Sequence, residues 1–186
     1  IQPLVSDEAG CCGAVRDYLG DLECALVDMR ANIDAWWPQV EGLGGLDPVE
    51  AIVVNASGCG VSVKDYGRAL AHDPDYADKA RRVSEVARDL SELLPGLTGA
   101  LKSALGNRRA SGVLAYHPPC SLQHGQQLRG QVEAALGALG FEVRLPLQDA
   151  ALCCGSAGTY SVLQPDIAYR LRDRKLETLA AREAPL

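Results

Sequence analysis

Two Cys-Cys-Gly tripeptides, at residues 11–13 and 153–155, set the strongest limit on the fold and chemistry of this 186-residue chain. Adjacent cysteines rarely bridge each other, because the ring that such a bond closes strains the backbone between them. The chain has seven cysteines in all, and an odd number does not suit the disulfide framework of a small secreted protein. The pattern therefore favours free thiols that act as ligands in a reducing compartment.

The two tripeptides belong to an internal repeat. A shift of 142 residues lays Cys11 on Cys153 and Cys12 on Cys154. The same shift aligns further pairs, which are Asp7 with Asp149, Ala9 with Ala151, Tyr18 with Tyr160, Met29 with Leu171, and Arg30 with Arg172. Several matches at one spacing indicate a duplicated unit. We expect each tripeptide to follow an acidic loop and to precede a helix.

Strand and helix patterns alternate along the chain. Short β-branched or apolar runs at 51–56, 112–117 and 141–145 predict buried strands. Apolar residues at helical spacing predict four helices, which begin at Leu22, run from Asp73 to Leu94 and from Leu128 to Leu139, and begin at Pro165. Pro38 should kink or restart the first of them. Residues 97–111 are weakly patterned and predict a connection. The fold class is therefore α/β, with duplicated Rossmann-like halves, mostly parallel sheets and helices on both faces.

The repeat also predicts the domain boundaries. Residues 1–96 would form the first cysteine-rich half, without its N-terminal strand, and residues 97–186 the second half, without its C-terminal strand. A full copy would have one cysteine, then the pair, then another cysteine. The missing members would fall before Ile1 and after Leu186, so we expect a fragment with three thiols per half and without an intact cluster in at least one half. Cys59 and Cys120 follow predicted strands, at the sheet edge where ligands bind in α/β folds.

Six cysteines are the candidate ligands, namely Cys11, Cys12, Cys59, Cys120, Cys153 and Cys154. Thiolates favour zinc or an iron–sulfur cluster over hard cations. Two adjacent cysteines fit several iron atoms better than one zinc ion, so a cluster of the 4Fe–4S type is the expected cofactor. Zinc in one site remains the alternative. The neighbouring glycines would let backbone N–H groups approach sulfur.

The remaining cysteine and two histidines have simpler interpretations. Cys24 lies on a predicted helix without a glycine neighbour, and the repeat places Asp166 at its position, so we assign it a packing role. His117 and His124 flank Cys120 and could contact a cluster or replace a ligand. Their simpler interpretation is a polar strand end and a helix start. No catalytic residue is predicted.

Composition limits the partners. The formal net charge is −6 and no cluster of Lys and Arg occurs, so we expect no nucleic-acid partner. No apolar run approaches the roughly 20 residues of a membrane helix. We expect a cytoplasmic protein, at most peripheral on the inner face of the cell membrane.

Longer motifs resemble those of a known family. They are the segments 8–14, 32–38, 56–60, 120–124 and 152–160. These strings are similar to the cysteine-rich C-terminal region of iron–sulfur subunits of bacterial glycolate oxidase (glycolate dehydrogenase). The wider family includes the cysteine-rich subunit of heterodisulfide reductase and the iron–sulfur subunits of lactate utilisation and anaerobic glycerol-3-phosphate dehydrogenase.

The resemblance implies a function. Flavin (FAD-binding) subunits would oxidise glycolate to glyoxylate, and this chain would relay electrons towards quinone without binding glycolate. The family also has an N-terminal segment with ferredoxin-type clusters, which does not occur here. Heterodisulfide reductase members end each copy in Cys-x-x-Cys, whereas Ser62 follows Cys59 at that spacing; this departure argues against their non-cubane clusters. The alternatives are a zinc- or cluster-stabilised docking scaffold and a redox subunit of the heterodisulfide reductase or lactate-utilisation type.

Overall fold

The computed structural model describes residues 2–106 and 111–181. These residues form an α/β structure with two compact units, Ile1–Asp89 and Leu90–Leu186. Each unit contains one two-stranded parallel sheet among its described residues. The α/β class is therefore confirmed. The predicted boundary at residue 96 lies inside a helix of the second unit, whereas the compact units divide at residue 89.

The first unit contains five helices and two strands within its described residues. They are α1 (Ala14–Tyr18), α2 (Leu22–Glu41), β1 (Ile52–Val54), α3 (Ser57–Lys64), α4 (Tyr66–Ala69), α5 (Ala77–Val86) and β2 (Ala87–Asp89), with a 3-10 turn at Leu43–Gly45. Strands β1 and β2 are parallel, and Ile52 pairs with Ala87. The core contains side chains of α2, α3, α4 and α5, including Ile33, Val63, Tyr66 and Val83.

Helix α2 shows why its ends lie where they do. The Asp21 carboxylate accepts a hydrogen bond from the backbone N–H of Cys24, as an N-cap residue does. Gly42 ends the helix in the left-handed region, at φ +70°. The helix continues through Pro38 to Glu41, so of the kink or restart that the sequence predicts at Pro38, the restart does not occur. Pro38 cannot donate to the carbonyl oxygen of Asp34, and the remaining bonds and packing of this 20-residue helix outweigh that one lost bond.

The second unit has four helices and two strands within its described residues. They are α6 (Leu90–Leu105), β3 (Gly112–Ala115), α7 (Gln131–Leu139), β4 (Phe141–Arg144), α8 (Tyr160–Leu163) and α9 (Pro165–Ala180), with a π-helical turn at Ser121–Gly125. Strands β3 and β4 are parallel, and Gly112 pairs with Phe141. Helix α9 begins at Pro165, as the sequence predicts.

The segment between residues 73 and 105 differs from the prediction of one helix and a connection. Asp73 accepts from the backbone N–H groups of Asp75 and Tyr76, so it forms a turn, and α5 begins later at Ala77. Strand β2 follows α5 directly, and α6 continues past Pro95 to Leu105. Residues 107–110 of the predicted connection lie outside the described residues.

Among the helices of residues 2–106 and 111–181, none is long and apolar enough to cross a lipid bilayer.

Candidate functional site

The Cys11–Cys12 pair precedes α1 and is braced by a buried hydrogen-bond network. Asn32, on α2, is 1% exposed. Its Oδ1 accepts from the backbone N–H of Gly10 at 2.7 Å, and its Nδ2 donates to the carbonyl oxygen of Cys11 at 2.7 Å. One amide side chain therefore fixes the peptide group before Gly10 and the peptide group after Cys11.

Two hydroxyl groups bind the next carbonyl. Tyr66 is fully buried, and its hydroxyl donates to the carbonyl oxygen of Cys12 at 3.0 Å. Ser62 Oγ donates to the same oxygen at 3.0 Å. The Asn32 amide donates to the Tyr66 hydroxyl at 3.2 Å, which joins the two parts of the network. A buried network in which every polar group has a hydrogen-bond partner fixes one backbone arrangement. The backbone that carries the Cys11 and Cys12 side chains is therefore held in one conformation.

Cys59 approaches the pair from a different element. It lies in the first turn of α3, directly after β1, which agrees with the predicted strand-then-cysteine order. The thiols of Cys12 and Cys59 are close enough to interact electrostatically. Burial raises the pKa of the Cys12 thiol, and the Cys59 thiol adds to that increase. The fold of the first unit therefore brings together two thiols from distant segments of the chain.

The three thiols of the first unit surround one phenol. Burial raises the pKa of the Tyr66 hydroxyl, the hydrogen bond from Asn32 lowers it, and the charges of Cys12, Cys11 and Cys59 raise it further. All three sulfurs are therefore within electrostatic range of the same buried oxygen. Cys11 is exposed, Cys12 is buried and Cys59 is partly buried. The exposed Cys11 sulfur gives this group of thiols an open side.

The glycines of the two tripeptides share a left-handed backbone conformation. Gly13 and Gly155 both have φ +84°. A Cβ atom on Gly13 would come within 2.9 Å of the carbonyl oxygen of Ala25 on α2, and a Cβ atom on Gly155 would overlap the carbonyl oxygen of Ala168 on α9. Both positions therefore require glycine for two reasons: the backbone is left-handed, and it lies too close to the long helix for a Cβ atom. Each pair is followed by a short helix and a long helix, as the repeat predicts.

The cysteines of the second unit are less closely gathered. The backbone N–H of Gly155 donates to Sγ of Cys153 at 3.4 Å. Cys153 and Cys154 are partly buried, whereas Cys120 is exposed at the start of the π-helical turn. Across residues 2–106 and 111–181, no three His, Cys, Asp or Glu side chains form a group that could bind a metal ion. The assignment of all six cysteines as ligands therefore stays a prediction.

The donor chemistry nevertheless suits an iron–sulfur cluster. Soft sulfur is the main candidate donor in both units, and the Gly155 N–H donates to the Cys153 sulfur, as backbone N–H groups do to cluster sulfurs. In the first unit Cys11, Cys12 and Cys59 would bind the cluster, and Asn32, Ser62 and Tyr66 would set the backbone under it.

The two histidines flank Cys120 in the sequence, and they belong to no metal-binding group in the described residues. His117 follows β3, and neither of its shielded ring nitrogens has a hydrogen-bond partner in the described part of the chain. Burial lowers the pKa of His117, and the charge of Lys175 lowers it further. His124 lies within the π-helical turn. Cys24 is exposed on α2, which corrects the packing role that the sequence assigned to it.

Sequence reasoning missed the residues that brace the cysteines. Asn32 carried a signal, because it is a polar side chain beside the apolar stripe that includes Met29, Ile33 and Trp36. Ser62 stood out only as a departure from a Cys-x-x-Cys pattern. Tyr66 and Lys175 gave no signal in sequence, since their neighbours come from distant segments.

Comparison with known proteins places these features in a family. The model of the CCG cysteine-rich domain matches residues 1–64 and 114–185. The glycolate oxidase iron–sulfur subunit of Escherichia coli (strain K12) is 48% identical over 179 residues, which cover 96% of this chain and 42% of that protein. The probable glycolate oxidase iron–sulfur subunit of Bacillus subtilis (strain 168) is 26% identical, over 98% of this chain and 39% of that protein.

A more distant relative has another name. Lactate utilization protein A of Geobacillus thermodenitrificans is 27% identical over 90% of this chain and 64% of that protein. The chain spans about two fifths of the length of the two glycolate oxidase subunits. No solved structure matches the chain. The two Cys-Cys-Gly turns, the repeat and the matched residues all agree, and the chain belongs to the CCG cysteine-rich domain family.

Proposed function

We propose that this chain is the cysteine-rich part of an iron–sulfur subunit of a glycolate-oxidising complex. Cys11, Cys12 and Cys59 bind one cluster, and Cys120, Cys153 and Cys154 bind another, both of the 4Fe–4S type. A bound cluster supplies one-electron redox chemistry. The chain itself binds and orients it and does not contact glycolate.

One observation carries the proposal. The thiols of Cys12 and Cys59 interact, and Asn32, Ser62 and Tyr66 bind the carbonyl groups of the Cys11–Cys12 pair. A thiol pair of this kind, beside a third exposed thiol and in a chain 48% identical to a glycolate oxidase iron–sulfur subunit, supports cluster binding better than a packing role.

The partners follow from this function. The electrons come from FAD-binding subunits of the same complex, which oxidise glycolate to glyoxylate, and leave towards quinone. Because quinone is a membrane acceptor, the subunit works in the cytoplasm at the inner face of the membrane. The net charge of −6 supports docking to protein partners over nucleic acid.

The test uses the full-length subunit purified anaerobically in complex with its flavin subunits. Glycolate is added without oxygen, and the visible absorption of the clusters is followed. We expect bleaching with glycolate and none with buffer alone. Lactate serves as a second substrate, because lactate utilization protein A is also a relative. Bleaching by lactate and not by glycolate would assign the subunit to a lactate-oxidising complex, and a colourless, zinc-containing protein would overturn the redox function.

A further inference from the structure

Lys175 on α9 is a buried cation that the proposed function leaves unused. Lys175 is 2% exposed. Nζ donates to the carbonyl oxygen of Asp149 at 2.6 Å and to that of Ala150 at 3.4 Å. No carboxylate pairs with it in the described part of the unit, since the Asp149 carboxylate is bound by Arg174 at 2.7 Å. Two backbone carbonyl oxygens bind Nζ, and Coulomb interactions are screened less at a buried position than in water.

The field of this ammonium reaches the segments that carry the cysteines of the second unit. The Asp149 carbonyl that binds Nζ also accepts from the backbone N–H of Leu152 at 2.9 Å, and Leu152 directly precedes Cys153. On the other segment, Lys175 is within electrostatic range of His117, which lies three residues before Cys120. Lys175 therefore interacts with the chain segment before Cys153 and with the segment before Cys120.

The first unit has no cation in the same place. The shift of 142 residues lays Asn32 on Arg174 and Ile33 on Lys175. Asn32 braces the first Cys-Cys-Gly turn with a neutral amide, and Ile33 is a fully buried core residue. The same turn of the long helix thus supports the cysteine loop in both units, through neutral groups in the first and through positive charges in the second.

We propose that Lys175 is a positioning residue that makes the cysteine site of the second unit the more easily reduced of the two. This inference rests on the proposed function, because it concerns the clusters that the two cysteine sets bind. A buried positive charge stabilises the state that has gained an electron, so it raises the reduction potential of a nearby centre. Lys175 also orders the loop before Cys153, which keeps the charge at a fixed distance from the site.

The test is a redox titration of the full-length subunit, followed by electron paramagnetic resonance. Cys153→Ser identifies the signal of the second unit by its loss. Lys175→Gln removes the charge and keeps a donor for the Asp149 carbonyl, whereas Lys175→Arg keeps the charge. Arg174→Gln is the matched control, since the Arg174 side chain is 60% exposed and solvent screens its charge.

We expect Lys175→Gln to shift the midpoint potential of the second-unit signal to a more negative value and to leave the first-unit signal in place. Lys175→Arg should restore the wild-type potential, and Arg174→Gln should shift it much less. A second-unit potential that is unchanged in folded Lys175→Gln protein, with iron content equal to wild type, overturns the inference and leaves the proposed function standing. Wild-type protein without iron or sulfide overturns both. If Lys175→Gln does not fold, an unchanged potential in Lys175→Met protein has the same meaning.

Discussion

The Tyr66 hydroxyl donates a 3.0 Å hydrogen bond to the carbonyl oxygen of Cys12, from a ring that is fully buried beneath the first Cys-Cys-Gly turn. The indole of Trp36 stacks on this ring, with centroids 6.5 Å apart and planes 15° from parallel. Packing therefore fixes the ring, and the ring fixes the peptide group between Cys12, a candidate ligand, and Gly13. This chain of contacts connects the hydrophobic core to the candidate site.

Replacing Tyr66 with phenylalanine should destabilise the first unit. Tyr66→Phe removes the donor to Cys12 and the acceptor for Asn32, so we expect the free energy of unfolding to fall by about 2 kcal/mol. Tyr76→Phe is the control, because its hydroxyl binds Asp34 at the surface and should cost at most about 0.5 kcal/mol. Urea denaturation of both variants measures the difference. Equal losses would show that the buried network contributes nothing beyond a surface contact.

Replacing Asn32 with aspartate tests the side-chain amide that hydrogen-bonds both Gly10 and Cys11. Asn32→Asp keeps an acceptor for the Gly10 N–H but loses the donor to the Cys11 carbonyl and buries a carboxylate. We expect a loss of about 3 kcal/mol or more in unfolding free energy. Asn55→Asp, at an exposed position after β1, should be within about 0.5 kcal/mol of wild type. A stable Asn32→Asp protein would contradict the role of the amide.

Alanine variants of Gly155 and Gly130 distinguish the cost of backbone strain from the cost of steric overlap. Both have a left-handed backbone, at φ +84° and φ +83°, but only Gly155 faces another backbone atom where a Cβ would lie, the Ala168 carbonyl oxygen. Gly130→Ala should cost about 1 kcal/mol of unfolding free energy, from strain alone. Gly155→Ala should cost about 3 kcal/mol or more, because α9 must also move. Thermal unfolding of the two variants gives the comparison.

The first unit offers the same comparison with a milder overlap. Gly13→Ala would place a Cβ 2.9 Å from the Ala25 carbonyl oxygen, whereas Gly20, at φ +83°, has open space. We expect Gly13→Ala to lose about 2 kcal/mol and Gly20→Ala about 1 kcal/mol. The order Gly155, then Gly13, then the two open glycines would be violated if all four variants unfolded alike.

Sequence pattern predicted the elements whose residues have one consistent preference. The β-branched run of β1 and the apolar periods of α2, α7 and α9 appear as expected. Strand β2 did not, because Ala87, Arg88 and Asp89 continue a helical pattern and only parallel pairing with β1 makes them extended. Helix α6 continues past Pro95 although Gly96 and Gly99 are poor helix formers, because the residues from Ala100 to Leu105 favour a helix and one lost bond is a small cost against a helix of this length.

The sequence predicts the candidate ligands of the site, which stay a prediction, but not the residues that support them. Adjacent cysteines are rare enough to be recognised by residue type alone. Their supports are ordinary residues whose effect depends on distant partners, as when Tyr66 binds the Cys12 carbonyl and Lys175 binds that of Asp149. The repeat connects these supports, since it aligns Asn32 with Arg174, and both side chains act on the loop before their own cysteine pair.

The iron and sulfide content of the full-length subunit, purified without oxygen, tests cluster binding by these thiols most directly. Cys59→Ser removes the thiol that neighbours Cys12, and Cys24→Ser removes an exposed thiol that we place outside both cysteine sets. We expect wild type and Cys24→Ser to have equal iron and sulfide per subunit, and Cys59→Ser and Cys153→Ser to have less of both. Iron and sulfide that are unchanged in Cys59→Ser and in Cys153→Ser would mean that these cysteines bind no cluster.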